Sequence, residues 1–248
     1  MIQSLFTITE NVCLAQNIWR MRLQGDTSAI TAPGQFVNIK LEGFFLRRPI
    51  SVNDVEGDIL TLIYKPLGEG TRQMTTFPPG KVLDILTGLG NCFDTALSCE
   101  KPVLVGGGVG IPPLFNLCKK LIAKGAKPVV VLGFNTKDEV FLEDDFRALG
   151  AEIISLTADG SYGHKGLVTD GVQMVEGYTY LYTCGPEAML KAVYNVCKTS
   201  GQFSFEERMG CGFGACMGYT CETLYGAKRI CRDGPVLVKE EIKWPTRK

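Results

Sequence analysis

Four cysteines in the C-terminal part of the chain have a spacing that suits metal chemistry. They are Cys211, Cys216, Cys221 and Cys231, and glycine-rich sequence surrounds the first two. Iron–sulfur clusters need thiolates on a loop that wraps closely around the inorganic core, and glycines permit such wrapping. The opening C-x4-C agrees with the plant-type [2Fe–2S] pattern C-x4-C-x2-C…C. Tyr219 stands at the third position of that pattern, and we expect Cys221, two residues later, to serve as the ligand instead.

The other chemistries open to these thiols are a structural zinc site and disulfide bonds. Structural zinc sites commonly show paired short spacings such as C-x2-C, whereas four, four and nine residues separate the cysteines here. Ten cysteines in a chain that opens without a secretory signal pattern indicate a reducing compartment, where clustered thiols more often bind metal. We therefore expect a cytoplasmic protein. At the third ligand position, tyrosinate ligation by Tyr219 and an unfilled corner remain alternatives to Cys221.

A glycine-rich turn at residues 106–110 is a candidate phosphate-binding element. It follows a short apolar run at residues 103–105, and Pro112 stands where the next helix is expected to begin. Glycine amides at a strand-to-helix junction can approach a pyrophosphate closely, and the helix N-terminus adds favourable charge. The spacing differs from the G-x-G-x-x-G fingerprint, so a tight turn without a ligand is the alternative.

Two further segments could complete a nucleotide site. Residues 183–186 (Thr-Cys-Gly-Pro) end an expected parallel strand, at the edge where open α/β sheets bind ligands. Residues 47–51 (Arg-Arg-Pro-Ile-Ser) offer guanidinium donors and a hydroxyl, and residues 63–65 and 68–71 add an aromatic face and polar groups. A core thiol at Cys184 and a solvated arginine pair are the alternatives.

The rest of the sequence predicts the elements that position these residues. Short alternating or β-branched runs separated by Gly, Pro, Asn and Asp predict an antiparallel barrel. Its expected strands lie at residues 3–9, 19–23, 35–41, 50–53, 60–64 and 81–86. From Pro102 onward strands and helices alternate, which predicts a mostly parallel sheet with helices on both faces. The expected strands are residues 103–105, 128–132, 152–157 and 180–182, and the expected helices are residues 113–124, 139–149 and 187–199.

Three domains are therefore expected: a β-barrel at residues 1–97, a parallel α/β domain at residues 98–201 and a small cysteine-bearing domain at residues 202–248. The 248 residues are 45% hydrophobic, which is enough for a sizeable core. The 26 basic and 26 acidic residues cancel, so the chain has no basic field for nucleic acid or an anionic membrane. Apolar runs fall short of the ~18 residues that a membrane span requires.

Charged and titratable residues outside these segments narrow the chemistry. The single histidine, His164, lies in a glycine-rich loop, and no acid–base pair suited to substrate oxidation is apparent, so no catalytic residue is assigned. Asp138 and Glu139 follow the second strand of the α/β region without an arginine cluster to pair with a 2′-phosphate. This arrangement favours NADH over NADPH.

Taken together, these segments resemble the ferredoxin–NADP reductase superfamily, through an R-x-x-S barrel motif, a GGGxGxxP turn and a C-G-P strand end. The C-terminal part narrows the resemblance. Residues 206–216 (Glu-Glu-Arg-Met-Gly-Cys-Gly-x-Gly-x-Cys) and residues 231–235 (Cys-x-Asp-Gly-Pro) are similar to the electron-transfer subunits of heteromeric NAD-dependent dihydroorotate dehydrogenases. Residues 159–170 are similar to that family too, and the motifs occur in the family's order over essentially the whole chain.

The resemblance implies a barrel that binds FAD, an α/β domain that binds the nicotinamide and a C-terminal [2Fe–2S] domain. The residues implied for FAD are Arg48, Pro49, Ile50, Ser51, Ile63, Tyr64, Lys65, Gly70 and Thr71. Those implied for the nicotinamide cofactor are Gly107, Gly108, Gly110, Cys184, Gly185 and Pro186. Cys211, Cys216 and Cys231 match the family's cluster ligands directly, and Cys221 completes the expected set.

The resemblance also implies a partner. A separate FMN-containing catalytic subunit, in a heterotetramer, would oxidise dihydroorotate to orotate in pyrimidine biosynthesis. Its electrons would cross the cluster to FAD and leave as hydride to NAD⁺. One alternative is an equivalent subunit of a ferredoxin-dependent transhydrogenase or a hydrogenase. The other is a non-catalytic assembly subunit that is cluster-less or holds zinc.

Overall fold

The alternating runs of the N-terminal region form a closed barrel in the computed structural model, which describes residues 1–97, 100–216 and 220–244. Neighbouring strands pair antiparallel in the order β1-β2-β5-β4-β3-β6. The strands are β1 (Ile2–Ala15), β2 (Ile18–Gln24), β3 (Phe36–Ile39), β4 (Arg48–Glu56), β5 (Ile59–Tyr64) and β6 (Val82–Leu89), with helix α1 (Glu69–Met74) between the last two. Alternate side chains such as Phe6, Met21 and Leu62 point inward and are fully buried, which closes the barrel core.

The second region is a seven-stranded sheet in the order β10-β9-β8-β7-β11-β12-β15, in which the last strand, β15 (Val236–Val238), is antiparallel and the others are parallel. Its parallel strands are β7 (Pro102–Gly107), β8 (Val129–Phe134), β9 (Glu152–Thr157), β10 (His164–Lys165), β11 (Tyr180–Gly185) and β12 (Gly201–Phe205). The helices are α2 (Pro112–Ala123), α3 (Glu143–Ala148), α4 (Val168–Met174) and α5 (Glu187–Val196). Leu104 packs on one face of the sheet and Val103 and Val105 on the other, as expected for strands covered on both sides.

The C-terminal segment leaves this sheet after β12 and returns to it. Its elements are β13 (Thr220–Thr223), β14 (Gly226–Arg229), α6 (Ile230–Asp233) and β15 (Val236–Val238). The first two form a hairpin, and β15 pairs antiparallel with β12 after the cis peptide between Gly234 and Pro235. The strand Gly201–Phe205 thus spans the expected boundary between residues 201 and 202, and the exact domain limits stay a prediction.

The barrel and the α/β region meet along β4 and α2. Lys119 of α2 donates to Asp54 at 2.6 Å and to Glu56 at 3.1 Å, and Asn116 donates to Asp54 at 3.1 Å. A further ion pair joins Lys65, directly after β5, to Glu139 at 3.5 Å. These contacts fix how the two regions face each other.

Two helices differ from the expected bounds. The helix expected at residues 139–149 is instead a short 3-10 turn, Lys137–Glu139, followed by α3 from Glu143. Val140 is extended and Leu142 has a left-handed φ of 62°, so the chain cannot continue as one helix between them. α5 ends at Val196, three residues before the expected end. No helix within residues 1–97, 100–216 and 220–244 is long and apolar enough to cross a membrane.

Candidate flavin, nicotinamide and cluster site

A cleft opens where the barrel wall meets the carboxyl ends of β11 and β12. It brings together nine of the predicted site residues, namely Arg48, Pro49, Ile50, Ser51, Ile63, Tyr64, Lys65, Thr71 and Cys184. Further lining comes from residues outside the predicted set of site residues, namely Phe36, Leu67, Gly68, Val109, Ser204, Phe205, Glu206, Glu207, Met209 and Pro235. The lining combines charged and polar groups with apolar side chains, which suits a ligand with a charged and a planar part.

Arg48 lines the cleft close to the backbone of α1. A Cβ atom on residue 70 would lie 2.3 Å from Arg48 Nε, so Gly70 leaves the space that the guanidinium occupies. The Arg48 guanidinium also stacks on the Phe44 ring, 4.5 Å from its centroid. The Thr71 hydroxyl is held by the amide and carbonyl of Gly68 at 3.1 Å. The Thr71 hydroxyl proton is therefore engaged, and the fixed Arg48 guanidinium is the group that fits a pyrophosphate.

Tyr64 contributes to the apolar lining of the cleft. Its ring borders the cleft, while its hydroxyl donates to Asn11 Oδ1 at 3.0 Å. Asn11 is itself held by the carbonyls of Met74 and Phe77. Burial raises the pKa of the Tyr64 hydroxyl well above its usual range, so the side chain is a neutral, fixed surface. Ile50 and Ile63 add apolar surface to the lining of the cleft.

The glycine turn after β7 packs tightly against the end of β11. A Cβ atom on residue 110 would lie 2.3 Å from the carbonyl oxygen of Cys184, so only glycine fits there. Gly108 adopts a left-handed φ of 51° with open space beside it. Gly107 and Gly185 both lie against Met189 at the start of α5, next to Pro186. The turn therefore presents bare backbone at the sheet edge, as a nucleotide phosphate would require.

Cys184 lies where the glycine turn after β7 meets the cleft. Its side chain is 1% exposed, and burial raises the pKa of the thiol above its usual range. The negative charge of Glu206 adds to this increase, and a hydrogen bond with Ser204 opposes it. Cys184 is therefore a neutral thiol on the cleft wall.

Glu206 is a cleft residue that the sequence analysis quoted in a motif but did not assign. It follows β12 directly, and burial raises the pKa of its carboxyl group. The signal that could have identified it is its position after an expected strand end beside Cys184. A carboxyl group with a raised pKa at a cleft wall is a candidate group for proton transfer.

Cys211 and Cys216 exchange hydrogen bonds beside the barrel, and Cys231 lies close enough for the charge of Cys211 to affect its pKa. The Cys216 amide donates to Cys211 Sγ at 3.4 Å, and the Cys211 amide donates to Cys216 Sγ at 3.5 Å. Burial alone would raise the pKa of the Cys211 thiol, but the amides of Phe213, Cys216 and Ala215 lower it to about 7. Burial and then the charge of Cys211 raise the pKa of Cys231, which places the two thiols near each other. Amides directed at sulfur stabilise the thiolate that a metal cluster needs.

Cys221 lies in a different environment. It is half-buried on β13 against the apolar layer beneath α5, and Cys231 packs instead on Phe36, Leu86 and Leu89 of the barrel. Burial, followed by the charges of Glu207 and Glu187, raises the pKa of the Cys221 thiol. Across the described parts of the chain, no three Cys, His, Asp or Glu side chains converge as a single metal ion would require. Tyr219 lies outside the described residues, so the third ligand stays a prediction.

The architecture, with its barrel, α/β domain and shared cleft, is that of oxidoreductases of the ferredoxin–NADP reductase type. A flavin-based electron-bifurcating NADH-dependent reduced ferredoxin–NADP oxidoreductase superposes with a TM-score of 0.85 and 27% identity, over 96% of this chain and 90% of that one. The cytochrome P450 reductase GcoB of Amycolatopsis superposes with a TM-score of 0.70 and 22% identity, over 79% of this chain and 65% of that one. The second likeness concerns the fold alone.

Sequence comparison identifies the particular family. The model "Iron-sulfur cluster binding domain of dihydroorotate dehydrogenase B" matches residues 206–243, and "Oxidoreductase NAD-binding domain" matches residues 104–195. The curated "Dihydroorotate dehydrogenase B (NAD(+)), electron transfer subunit" of Fusobacterium nucleatum is 39% identical over 96% of this chain and 97% of its own length. The same subunit of Bacillus mycoides is 41% identical over 92% of this chain and 94% of its length. The chain belongs to the family of dihydroorotate dehydrogenase B electron transfer subunits.

Membership of this family confirms the resemblance read from the motifs and the class of oxidoreductase electron-transfer subunit. The match at residues 206–243 confirms the expected iron–sulfur segment over the zinc-bound and cluster-less alternatives. The match at residues 104–195 confirms the expected nicotinamide domain. The ferredoxin–NADP oxidoreductase structure is 27% identical to this chain. The curated relatives are about 40% identical, and they support the dihydroorotate dehydrogenase family over the transhydrogenase alternative.

Proposed function

We propose that this chain carries electrons from a dihydroorotate dehydrogenase catalytic subunit to NAD⁺, with FAD in the cleft and a [2Fe–2S] cluster on the C-terminal loop. One observation carries the proposal: the flavin cleft and the cluster loop share a wall. Phe36 and Met209 line the cleft and also pack in the apolar cluster that contains Cys231. Electron transfer requires a short distance between the two centres, and residues common to the cleft and the cluster loop support such proximity.

The residues of the cleft divide the work of holding the flavin. Arg48 and Ser51 offer donors for the pyrophosphate, with Thr71 beside them, and Ile50, Ile63 and Tyr64 offer apolar surface for the ring. Lys65 adds a second cation, oriented by Glu139. When bound, a flavin exchanges electrons both singly and in pairs, and an iron–sulfur cluster exchanges them singly.

The nicotinamide site lies at the sheet edge beside the same cleft. Gly107, Gly108 and Gly110 would bring backbone amides to the cofactor, and Cys184, Gly185 and Pro186 would border the reactive ring. Support comes from the tight packing of Gly110 on Cys184, which joins the turn to the cleft wall. Cys184, as a neutral thiol, excludes water from this corner without adding charge.

The cluster ligands in this proposal are Cys211, Cys216 and Cys231, with Cys221 as the remaining one. The first three are supported by their proximity and by the amides that point at sulfur. The C-terminal loop also exposes Phe213, at 41% of its surface, between two ligand cysteines. An exposed aromatic beside a redox centre suits contact with a partner protein.

The partner that we propose is an FMN-containing catalytic subunit, in a heterotetramer with this chain. Curated relatives are electron transfer subunits by name, which supports a separate subunit for dihydroorotate oxidation. A cytoplasmic location is supported by the cysteines of the described residues, which are all free thiols.

The test uses the purified full-length chain, reconstituted anaerobically with FAD, iron and sulfide. NADH should bleach the flavin and then produce the paramagnetic signal of a reduced [2Fe–2S] cluster, while dihydroorotate alone should leave the protein oxidised. Addition of the co-expressed catalytic subunit should make dihydroorotate an effective reductant. Oxidation of dihydroorotate by the isolated chain, or a protein that binds zinc and takes up no iron, would refute the proposal.

A further inference from the structure

The barrel makes a direct hydrogen bond to the cluster loop through Asn38. Asn38 lies on β3 and is fully buried, with 0% of its surface exposed. Its Nδ2 donates to the backbone carbonyl of Cys211 at 3.1 Å, across 173 positions of sequence. A buried side-chain amide therefore holds the backbone of a proposed cluster ligand.

The loop closes tightly on this amide. Gly212, next to Cys211, has a left-handed φ of 79°, and a Cβ atom there would lie 2.3 Å from Asn38 Nδ2. Any other residue at 212 would push the loop off the barrel. The position of the Cys211 carbonyl is thus set by contact on both sides of the hydrogen bond.

Asn38 is itself rigidly placed. Its strand pairs with β4 at Pro49 and with β6 at Leu86. Arg47 donates to the Asn38 carbonyl at 3.3 Å and to the Asp84 carboxylate at 3.0 Å. The support of Asn38 therefore includes the strand that forms the flavin cleft.

The chemistry of Asn38 indicates what the amide is for. Its Oδ1 is buried without a hydrogen-bond partner among the described residues, which is a cost that an apolar side chain of the same shape would avoid. Folding of the barrel alone therefore favours leucine at this position. The benefit that offsets the cost is the bond that Nδ2 makes with Cys211.

We propose that Asn38 is a positioning residue of the cluster site, which orients Cys211 so that its thiolate meets the cluster. The flavin barrel, together with the C-terminal segment, then builds the iron–sulfur site. The inference rests on the proposed cluster at Cys211, Cys216 and Cys231. Groups that hold metal ligands from behind typically change metal affinity by about 10- to 100-fold when removed.

The test compares Asn38→Leu and Asn38→Ala with the matched variants Asn53→Leu and Asn53→Ala. Asn53 is a buried barrel asparagine, 4% exposed, whose Oδ1 also has no partner within the described ranges. In the reconstituted protein, the Asn38 variants should release iron to a chelator about tenfold faster than the wild type and alter the cluster's visible circular dichroism. The Asn53 variants should release iron at the wild-type rate.

A second measurement needs no cluster. In the cluster-free, FAD-loaded protein, the amides of residues 208–216 should exchange hydrogen faster in the Asn38 variants than in the wild type or the Asn53 variants. Leucine and alanine at position 38 together separate lost bonding from altered packing, since both remove the donor and only alanine leaves space.

Three outcomes would count against the role. Wild-type exchange and wild-type iron release in both Asn38 variants would overturn it and leave the proposed function intact. Equal acceleration by the Asn53 variants would reduce Asn38 to a general contributor to barrel stability and also overturn it. A wild-type protein that takes up no iron under reconstitution would overturn the proposed function, and this role of Asn38 with it.

Discussion

Asn91 and Val236 form a reciprocal pair of hydrogen bonds that ties the end of the barrel to the last strand of the sheet. Asn91 Nδ2 donates to the Val236 carbonyl at 2.7 Å, and the Val236 amide donates to Asn91 Oδ1 at 2.9 Å. The Asn91 amide also donates to the Gly234 carbonyl. The Asn91 side chain thus pairs with the Val236 backbone as a neighbouring strand would, and it holds the start of β15 in place.

Asn91→Ala should destabilise the region around β15. Three side-chain hydrogen bonds are lost, two with Val236 and one with the Asp233 carbonyl, so the free energy of unfolding should fall by about 1–3 kcal/mol. Urea denaturation of the FAD-loaded protein measures this. Asn195→Ala, at an exposed position of α5, is the control and should change stability little. Equal effects of the two substitutions would contradict the prediction.

Arg48→Ala should lose FAD while the barrel stays folded. The guanidinium fills the space that Gly70 leaves and is the cation nearest to α1 in the cleft. Removing a charged donor from a phosphate costs about 1.5–3 kcal/mol, so FAD should bind at least about tenfold more weakly. Flavin content after gel filtration reports the loss, with Arg22→Ala on the neighbouring barrel surface as the control. An Arg48→Ala protein that keeps stoichiometric FAD would show the assignment to be wrong.

NADH should reduce the flavin much faster than NADPH. Glu139, one of the two acidic residues behind this expectation, is engaged by Lys65 and by Asn135. Asp138 is exposed and remains available to a ribose hydroxyl. Stopped-flow reduction should show the preference in the wild type, a smaller preference in Asp138→Ala and no change in Asp144→Ala. Equal rates with both cofactors in the wild type would refute it.

The third cluster ligand is decided by two substitutions. We expect Cys221→Ser to lose the [2Fe–2S] spectrum and much of the iron, and Tyr219→Phe to keep both, because thiolate is the usual ligand of such clusters. Cys221 is half-buried beside the carboxylates of Glu207 and Glu187, so its service as the ligand would require β13 to shift when the cluster binds. If Cys221→Ser keeps a native spectrum and Tyr219→Phe loses it, tyrosinate is the ligand.

Lys119 should set the orientation of the two nucleotide-binding regions. Burial alone would lower the pKa of Lys119, but Asp54 and Glu56 outweigh it and raise the pKa above its usual value. Lys119→Met should therefore cost about 1–2 kcal/mol at neutral pH and slow flavin reduction by NADH. A raised folded-state pKa means that the contribution is complete below about pH 10.4 and is lost as the pH rises through the folded value.

The control for this prediction is the adjacent lysine. Lys120→Met alters an exposed side chain on the same helix and should leave both stability and reduction rate near wild type. Thermal unfolding at pH 7, 9 and 11 should show the difference between wild type and Lys119→Met shrinking only at the highest pH. A difference that grows between pH 9 and 11 would contradict the sign of the shift.

The sequence predicted the parts of this molecule that depend on local pattern. Alternating or β-branched runs of residues identified the barrel strands. The alternation of strands and helices after Pro102 identified the parallel sheet. The six-residue helix α1 was missed because one and a half turns leave no periodic signal. Asn38 and Asn91 were also missed, since their partners lie 173 and 145 positions away and only the folded chain brings them together.

Because β15 returns to pair with β12, the iron–sulfur segment cannot be removed without uncovering the edge of β12. A chain cut after Phe205 would lack the strand that covers β12 and would present five residues of unpaired backbone to other molecules. The cysteine-bearing loop therefore lies between two strands, β12 and β15, that belong to the same sheet. Its loss by proteolysis or mutation would leave an aggregation-prone flavoprotein rather than a smaller working reductase.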